Sequence, residues 1–350
     1  MQEGAGQRER SFFLTFMTVI SCVSVVILHA NGVFWSFSYE RVWLTANVLE
    51  SVFYFAVPVF FMISGSTLLD YRDHYDTKTY AWKRIKKTVI PFLVWSMVAL
   101  AFQLLRGSYT FETVTVYTVV DTIINSRHWS VYWFFMPLFG AYLAIPVISL
   151  IPKEQRKSIF LYIIAVGYLL NELIPFVNQL LGPMVPVNGD LKFPVSSGYL
   201  LYIFVGYYLY HYQVTPWLRK VIYVLGAMGL AVHIVGTWYY SYQAGEIVTL
   251  FKGYTNVPCA LYSTAIFLFF RNVDFTKWNS RIKAVLNYLS TETFSVYLLH
   301  MFVILELSDV FQVNWASFVN RTVGAVAVFL LITVVCKQLK KISLFRLVLP

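Results

Sequence analysis

Long apolar runs separated by short polar breaks dominate this chain. A helix rising 1.5 Å per residue needs about 20 apolar residues to cross a hydrocarbon core. Ten runs approach that length, at roughly 12–31, 44–69, 87–105, 129–151, 158–178, 196–212, 217–241, 254–270, 285–306 and 318–338, the sixth and eighth being short. The pattern predicts an all-α, polytopic membrane protein of about ten transmembrane helices. No internal repeat and no Gly/Ser- or Pro-rich linker interrupts it, so residues 1–350 read as one membrane domain with tails at 1–11 and 339–350.

Charge sets the expected orientation. The run VPVFFMISGSTLL (57–69) leads through a polar loop into the basic block KRIKK (83–87), and six cations fall between Arg72 and Lys87. Positive loops stay on the cytoplasmic side. With the amino terminus inside, 21 of the 27 Lys and Arg residues lie in cytoplasmic segments, and Arg41, Arg106, Arg127, Lys192, Lys252 and Arg321 lie opposite. Both termini are then cytoplasmic and the helix number is even.

Composition narrows the class. The chain is 58% hydrophobic and 13% charged, against about 25% charged in soluble domains, and its mean hydropathy is +0.63. The net charge of +10 is accounted for by topology and does not mark a nucleic-acid partner. Aromatic residues, 19% of the chain, gather near the ends of the runs, as in interfacial belts. Cys22, Cys259 and Cys336 stand alone without metal-ligand spacing and read as small core residues, so no metal is expected. The start, MQEGAGQRER, places Arg8 and Arg10 before a run with no small-residue cleavage site, which reads as a retained first helix in a multi-pass protein of the cell membrane.

Ionisable groups inside the bilayer are costly and are functional candidates by default, the alternative being a paired or snorkelling side chain. His29 closes the first run, and His300, in FSVYLLHMFVI, falls at matching depth with Tyr297 three residues before it on the same face. A neutral imidazole there is a base near pH 7, or simply a packed ring. His233, among aliphatics, reads as a core histidine. Glu50 and Glu172 share the outer level, and either carboxylate could hold an imidazole in one tautomer or be solvated at the headgroups. Asn31, Asn171, Glu306 and Asp309 fall in the same zone, and the loops 106–128 and 179–195 could cover it or be ordinary exposed loops. At the opposite face Arg84, Lys86 and Lys87 suit phosphates, or serve topology alone. The absence of P-loop, GxGxxG, HExxH and GxSxG patterns argues against nucleotide hydrolysis and serine-hydrolase chemistry.

Taken together, His29, VPVFFMISG (57–65), RIKKTVIPF (84–92), YWFFMPLFGAYLAIPV (132–147), YIFVGYYL (202–209) and SVYLLH (295–300) resemble the acyltransferase-3 family of bacterial integral-membrane acyltransferases, from about residue 12 to the last helix. The resemblance implies transfer of an acyl group, usually acetyl, from cytoplasmic acetyl-CoA to hydroxyls of an envelope glycan or lipid-linked sugar outside. Acyl-CoA would be a co-substrate, with no permanently bound cofactor. His29 would be the catalytic residue, and Arg84 with Lys87, beside Lys86, the donor-binding element. Lys87 stands where the family commonly has arginine, so a bidentate phosphate contact becomes a point-charge one. Thr18 stands where many relatives have an arginine. In this scheme His300 and Tyr297 orient the acceptor, Glu50 or Glu172 fixes an imidazole, and Trp133 joins the substrate site. Ser64 is available for an acyl-enzyme, though a small residue there also serves helix packing. The partners would be acyl-CoA, the glycan and the bilayer, with no nucleic acid, and a homodimer is compatible with the pattern. Two other readings use the same residues: a carrier or flippase that moves a glycolipid or a small polar substrate such as an amino acid without covalent chemistry, which breaks at Pro58 and Pro146 would favour and the lack of paired halves disfavours, and a non-catalytic partner of a glycan synthase.

Overall fold

The computed structural model describes residues 2–127, 129–182 and 188–350, with side chains from Phe12 onward. Part of the loop expected at 179–195 lies outside the described residues. The chain forms helices α1 Gln2–Ala30, α2 Arg41–Phe53, α3 Ala56–Leu68, α4 Thr77–Arg84, α5 Ile90–Leu105, α6 Val116–Ile124, α7 Phe135–Ile148 and α8 Lys153–Gly167. It continues with α9 Ile174–Leu181, α10 Leu200–His211, α11 Pro216–Ala244, α12 Val257–Arg271, α13 Ser280–Ser290, α14 Thr293–Asp309, α15 Ala325–Leu339 and α16 Phe345–Val348. No strand occurs among the described residues.

Local chemistry explains several boundaries. The second apolar run breaks at Tyr54–Phe55, and Pro58 sits in the first turn of α3, where its missing N–H leaves no ladder bond unmade. Asp76 caps α4 by accepting from the Thr79 amide at 2.9 Å. Helix α11 starts with Thr215 and Pro216 and stops at Gly245, whose φ of 70° suits a residue without Cβ.

Seven stretches among the described residues are long and apolar enough to cross a membrane: Phe12–Ala30, Arg41–Asp73, Thr77–Leu105, Ser130–Ile148, Lys153–Leu181, Pro216–Ala244 and Asn320–Leu339. The pair α13–α14, bent by 66°, makes an eighth if it is one span. Two of the ten expected runs form helices of only 12 and 15 residues, α10 and α12. Length therefore supports seven or eight crossings, and the count of ten rests on loop charge. Helix α10 is short but central. It is apolar on every face and buries Leu201, Ile203, Phe204 and Val205, as a helix enclosed by others must.

Helices α3 and α10 meet backbone to backbone. A Cβ on Gly65 would lie 2.1 Å from the Ile203 carbonyl oxygen, and one on Gly206 would lie 2.1 Å from that of Met62. Small residues let helix backbones touch where lipid supplies no hydrophobic drive. Wide π-turns occupy Ile85–Val89, Tyr168–Leu173 and Asn320–Gly324. The segment 339–350, read from sequence as a tail, packs back on α5: Leu349 is buried and the Trp95 indole donates to the Val348 carbonyl at 2.8 Å.

Candidate functional site: a histidine pair at one end of an intramembrane cavity

Helices α1 and α14 lie side by side in step. The Cys22 thiol donates to the Thr293 carbonyl at 3.3 Å. Seven residues further along each helix, the rings of His29 and His300 come together, with centroids 4.9 Å apart at 45°. His300 is fully buried. Its Nδ1 lies 3.1 Å from the Val296 carbonyl and 2.7 Å from that of Tyr297. Carbonyls only accept, so Nδ1 carries the proton and Nε2 holds a lone pair, which has no partner. His29 faces a cavity and bonds to nothing among the described residues.

That cavity, about 490 Å³, is walled by α1, α2, α3, α7 and α14. His29, Glu50 and Trp35 line one end, and Thr18, Ser64, Thr88, Tyr142 and Thr293 line the other. Thr18 lies eleven residues before His29 on α1, about 16 Å by helical rise. Helix α5 supports the same polarity. Arg106 at its far end pairs with Glu306 and Asp309, beyond His300 on α14, whereas Thr88 precedes its first turn. Opposite the histidines stands a stack of rings: Tyr54 on Tyr254 at 4.1 Å and 7°, and Tyr254 on Trp133 at 5.3 Å and 18°.

Behind His29 is a buried polar network. The Asn31 amide donates to Glu50 Oε2 at 3.1 Å and to the Ala46 carbonyl at 2.9 Å. Arg321 fixes that amide's orientation by donating to Asn31 Oδ1 at 2.9 Å, and it also donates to Thr45 Oγ1 at 3.0 Å. Lys252 reaches inward from the loop after α11, donates to Ser51 Oγ at 2.8 Å and sits over the Phe34 and Tyr54 rings. Lys252 is 7% exposed and Arg321 is 1% exposed.

The sequence-derived candidates separate into groups. His29, Glu50, Ser64, Trp133 and Tyr297 all line the cavity, and His300 stands directly behind His29. The Tyr297 hydroxyl donates to the Val131 carbonyl at 2.5 Å, so it does not hold an imidazole. Ser64 donates to the Phe60 carbonyl at 2.9 Å. Glu172 is buried on the turn between α8 and α9, away from the cavity wall, with Oε2 unpartnered. His233, also outside the cavity, is buried against Tyr54 with both ring nitrogens unpartnered. Arg84 lies over the rings of Tyr80 and Tyr142, at 5.7 and 5.5 Å, and Tyr142 lines the cavity. Lys86 and Lys87 are exposed on the following turn. Thr18 faces the cavity at this end, where Arg84 is the cation beside its wall, while Lys252 and Arg321 serve the other end.

Sequence reasoning counted Lys252 and Arg321 among loop charges. For Lys252 the available signal was a cation directly after the apolar run IVTLF (247–251), whereas Arg321, between Asn320 and Thr322, gave none. No three His, Cys, Asp or Glu residues converge as metal ligands among the described residues.

These features define a multi-pass helical membrane protein with a histidine-bearing cavity inside the bilayer. Residues 12–337 match the acyltransferase-3 family, described as an acyltransferase domain, and the chain belongs to that family. It is a membrane acyltransferase. No curated protein and no solved structure matches the chain.

Proposed function

We propose that the protein transfers an acyl group, acetyl in the simplest case, from cytoplasmic acyl-CoA to a hydroxyl of an envelope glycan or lipid-linked sugar on the outer side of the cell membrane. The observation that carries this reading is the continuity of the cavity from His29 to the Thr18–Ser64–Thr88 end, next to Arg84. The 21-to-6 division of cations over ten runs supports a cytoplasmic Arg84 end and an outer His29 end.

In this scheme Arg84, with Lys86 and Lys87 at the mouth, holds the donor's phosphates through charge-assisted hydrogen bonds. The acyl thioester then enters the cavity along its hydroxyl-lined end. The aromatic stack of Tyr54, Tyr254 and Trp133 presents a flat apolar face to a sugar ring. The acceptor hydroxyl gives its proton to the free nitrogen of His29 as its oxygen attacks the thioester carbon. The C–O bond forms, the C–S bond breaks, and the proton passes from the imidazolium to the departing thiolate. His300, locked as the Nδ1–H tautomer, offers its Nε2 lone pair to a ring N–H of His29, and a turn of the His29 ring closes that contact. A base so oriented contributes on the order of 10²–10⁴-fold. Ser64 has no imidazole at its hydroxyl, which supports direct transfer.

The test is purified protein with radiolabelled acetyl-CoA and isolated envelope glycan. Labelled glycan plus free CoA, lost in His29→Ala at unchanged protein level, is the expected result. Acceptor movement with the donor left intact would instead identify a carrier.

A further inference from the structure

We propose that a second site, separate from the cavity, binds a phosphate-bearing anion in a groove at the His29 end of the molecule. The groove, about 550 Å³, is lined by Arg41, Val42, Thr45, Ala316, Phe318 and Arg321. It lies between the first turn of α2 and the segment leading into the π-turn before α15.

Two arginines converge there. Arg321 donates to Thr45 Oγ1 at 3.0 Å, and Arg41 stands four residues before Thr45, hence on the same face of α2, about 6 Å away between Cβ atoms. Arg321 is 1% exposed, its two bonded acceptors, Asn31 Oδ1 and Thr45 Oγ1, are both neutral, and its Nε has no partner. A buried guanidinium without a counter-ion is unfavourable, and an anion in the adjoining groove would supply one. Arg41 is exposed at the rim. The planar guanidinium matches two phosphate oxygens at once, which selects phosphate over a lone halide.

The remaining walls, Val42, Ala316 and Phe318, are apolar, and Phe318 is exposed. A ligand with a phosphate at one end and hydrocarbon at the other, such as a lipid headgroup with its first methylenes, fills both parts. The inference rests on this groove and not on acyl transfer. It reaches the cavity through one residue, because Arg321 holds the Asn31 amide that donates to Glu50.

The experiment uses the full chain purified in detergent and titrated separately with phosphatidylglycerol, phosphatidylcholine and inorganic phosphate, with bound species counted by native mass spectrometry. Phosphatidylglycerol should be retained at least tenfold more tightly than phosphatidylcholine. Arg41→Gln and Arg321→Lys should each weaken it at least tenfold. Displacement of the lipid by inorganic phosphate, with the same sensitivity to both variants, would identify the anion itself as the ligand; retention of lipid alone would identify the headgroup with its chains. Since Arg41 is exposed, Arg41→Gln keeps the test open even where Arg321→Lys lowers the yield of folded protein. Retention that is unchanged in Arg41→Gln, or no preference for the anionic lipid together with no phosphate binding, overturns the site.

Discussion

Gly65→Ala is the sharpest test of the helix packing that shapes the cavity. The added methyl would sit 2.1 Å from the Ile203 carbonyl oxygen and 2.9 Å from Ile203 Cα, where ordinary contact begins at 3.4 Å. The shortfall is about 1.3 Å, and the obstacle is the backbone of α10, which cannot turn aside as a side chain can. Overpacking of this kind costs about 1–3 kcal/mol and the upper end applies here, which corresponds to a Tm lower by about 5 °C or more. Relief by moving α3 away from α10 would displace Val57, Phe60, Ile63 and Ser64, all on the cavity wall, so acyl transfer should fall as well. Gly140→Ala is the matched control. Gly140 lies within α7 with nothing within 4 Å of a new Cβ, so alanine there should be neutral or stabilising by up to about 1 kcal/mol. Thermal unfolding of the purified variants in detergent decides the matter. A Gly65→Ala protein as stable as Gly140→Ala would refute the close approach of the two helices.

The site makes further predictions. Ser64→Ala should retain turnover within about twofold of the parent if the acceptor attacks the thioester directly and His29 alone supplies the base; loss of turnover without loss of folded protein would point to an acyl-enzyme at Ser64. Arg84→Ala should raise the KM for acyl-CoA with little change in kcat, since a phosphate clamp contributes binding that is uniform along the reaction, and an unchanged KM removes Arg84 from the donor site. Lys252→Met removes the donor of the buried Ser51 hydrogen bond and should cost about 1–3 kcal/mol, read as a lower Tm of the purified protein in detergent; a Tm equal to the parent's would show that the bond adds no net stability.

Much of this arrangement was legible in the chain, for identifiable reasons. Apolar run length located the long helices, because a crossing demands about 20 residues, while α4, α6 and α16 lie outside the ten runs. His29 and His300 were found because a titratable ring in an apolar run is rare, and equal depth on two helices running the same way brought them together. Their mutual geometry was not legible. The His300 tautomer is set by its own helix, through the Val296 and Tyr297 carbonyls, where a carboxylate was expected. Composition did not disclose that α10 and α12 are shorter than a full crossing, since a run buried by neighbouring helices reads the same as one facing lipid. Lys252 was hidden for a different reason. A loop residue next to a glycine looks solvated in sequence, and only the fold shows the loop after α11 turning inward to place Lys252 over Phe34 and Tyr254 against Tyr54.

The three wide turns are the part that sequence period could least disclose, and each carries ionisable residues of consequence: Lys86 and Lys87 in Ile85–Val89, Glu172 in Tyr168–Leu173 and Arg321 in Asn320–Gly324. A π-turn inserts one residue into the helical ladder, which rotates everything after it by about 100° relative to the preceding face. Arg321 shows where that rotation leaves the buried face intact. It lies at the start of a run that continues as Ala325–Leu339 with Val334 and Val335 exposed, yet its guanidinium is buried against Asn31 and Thr45. Ala325, Val328, Phe329, Ile332 and Cys336 carry the buried face on from Arg321 at ordinary helical spacing, so across the wide turn Asn320–Gly324 the charge stays on the protein-facing side while the opposite face, with Val334 and Val335, is left to lipid.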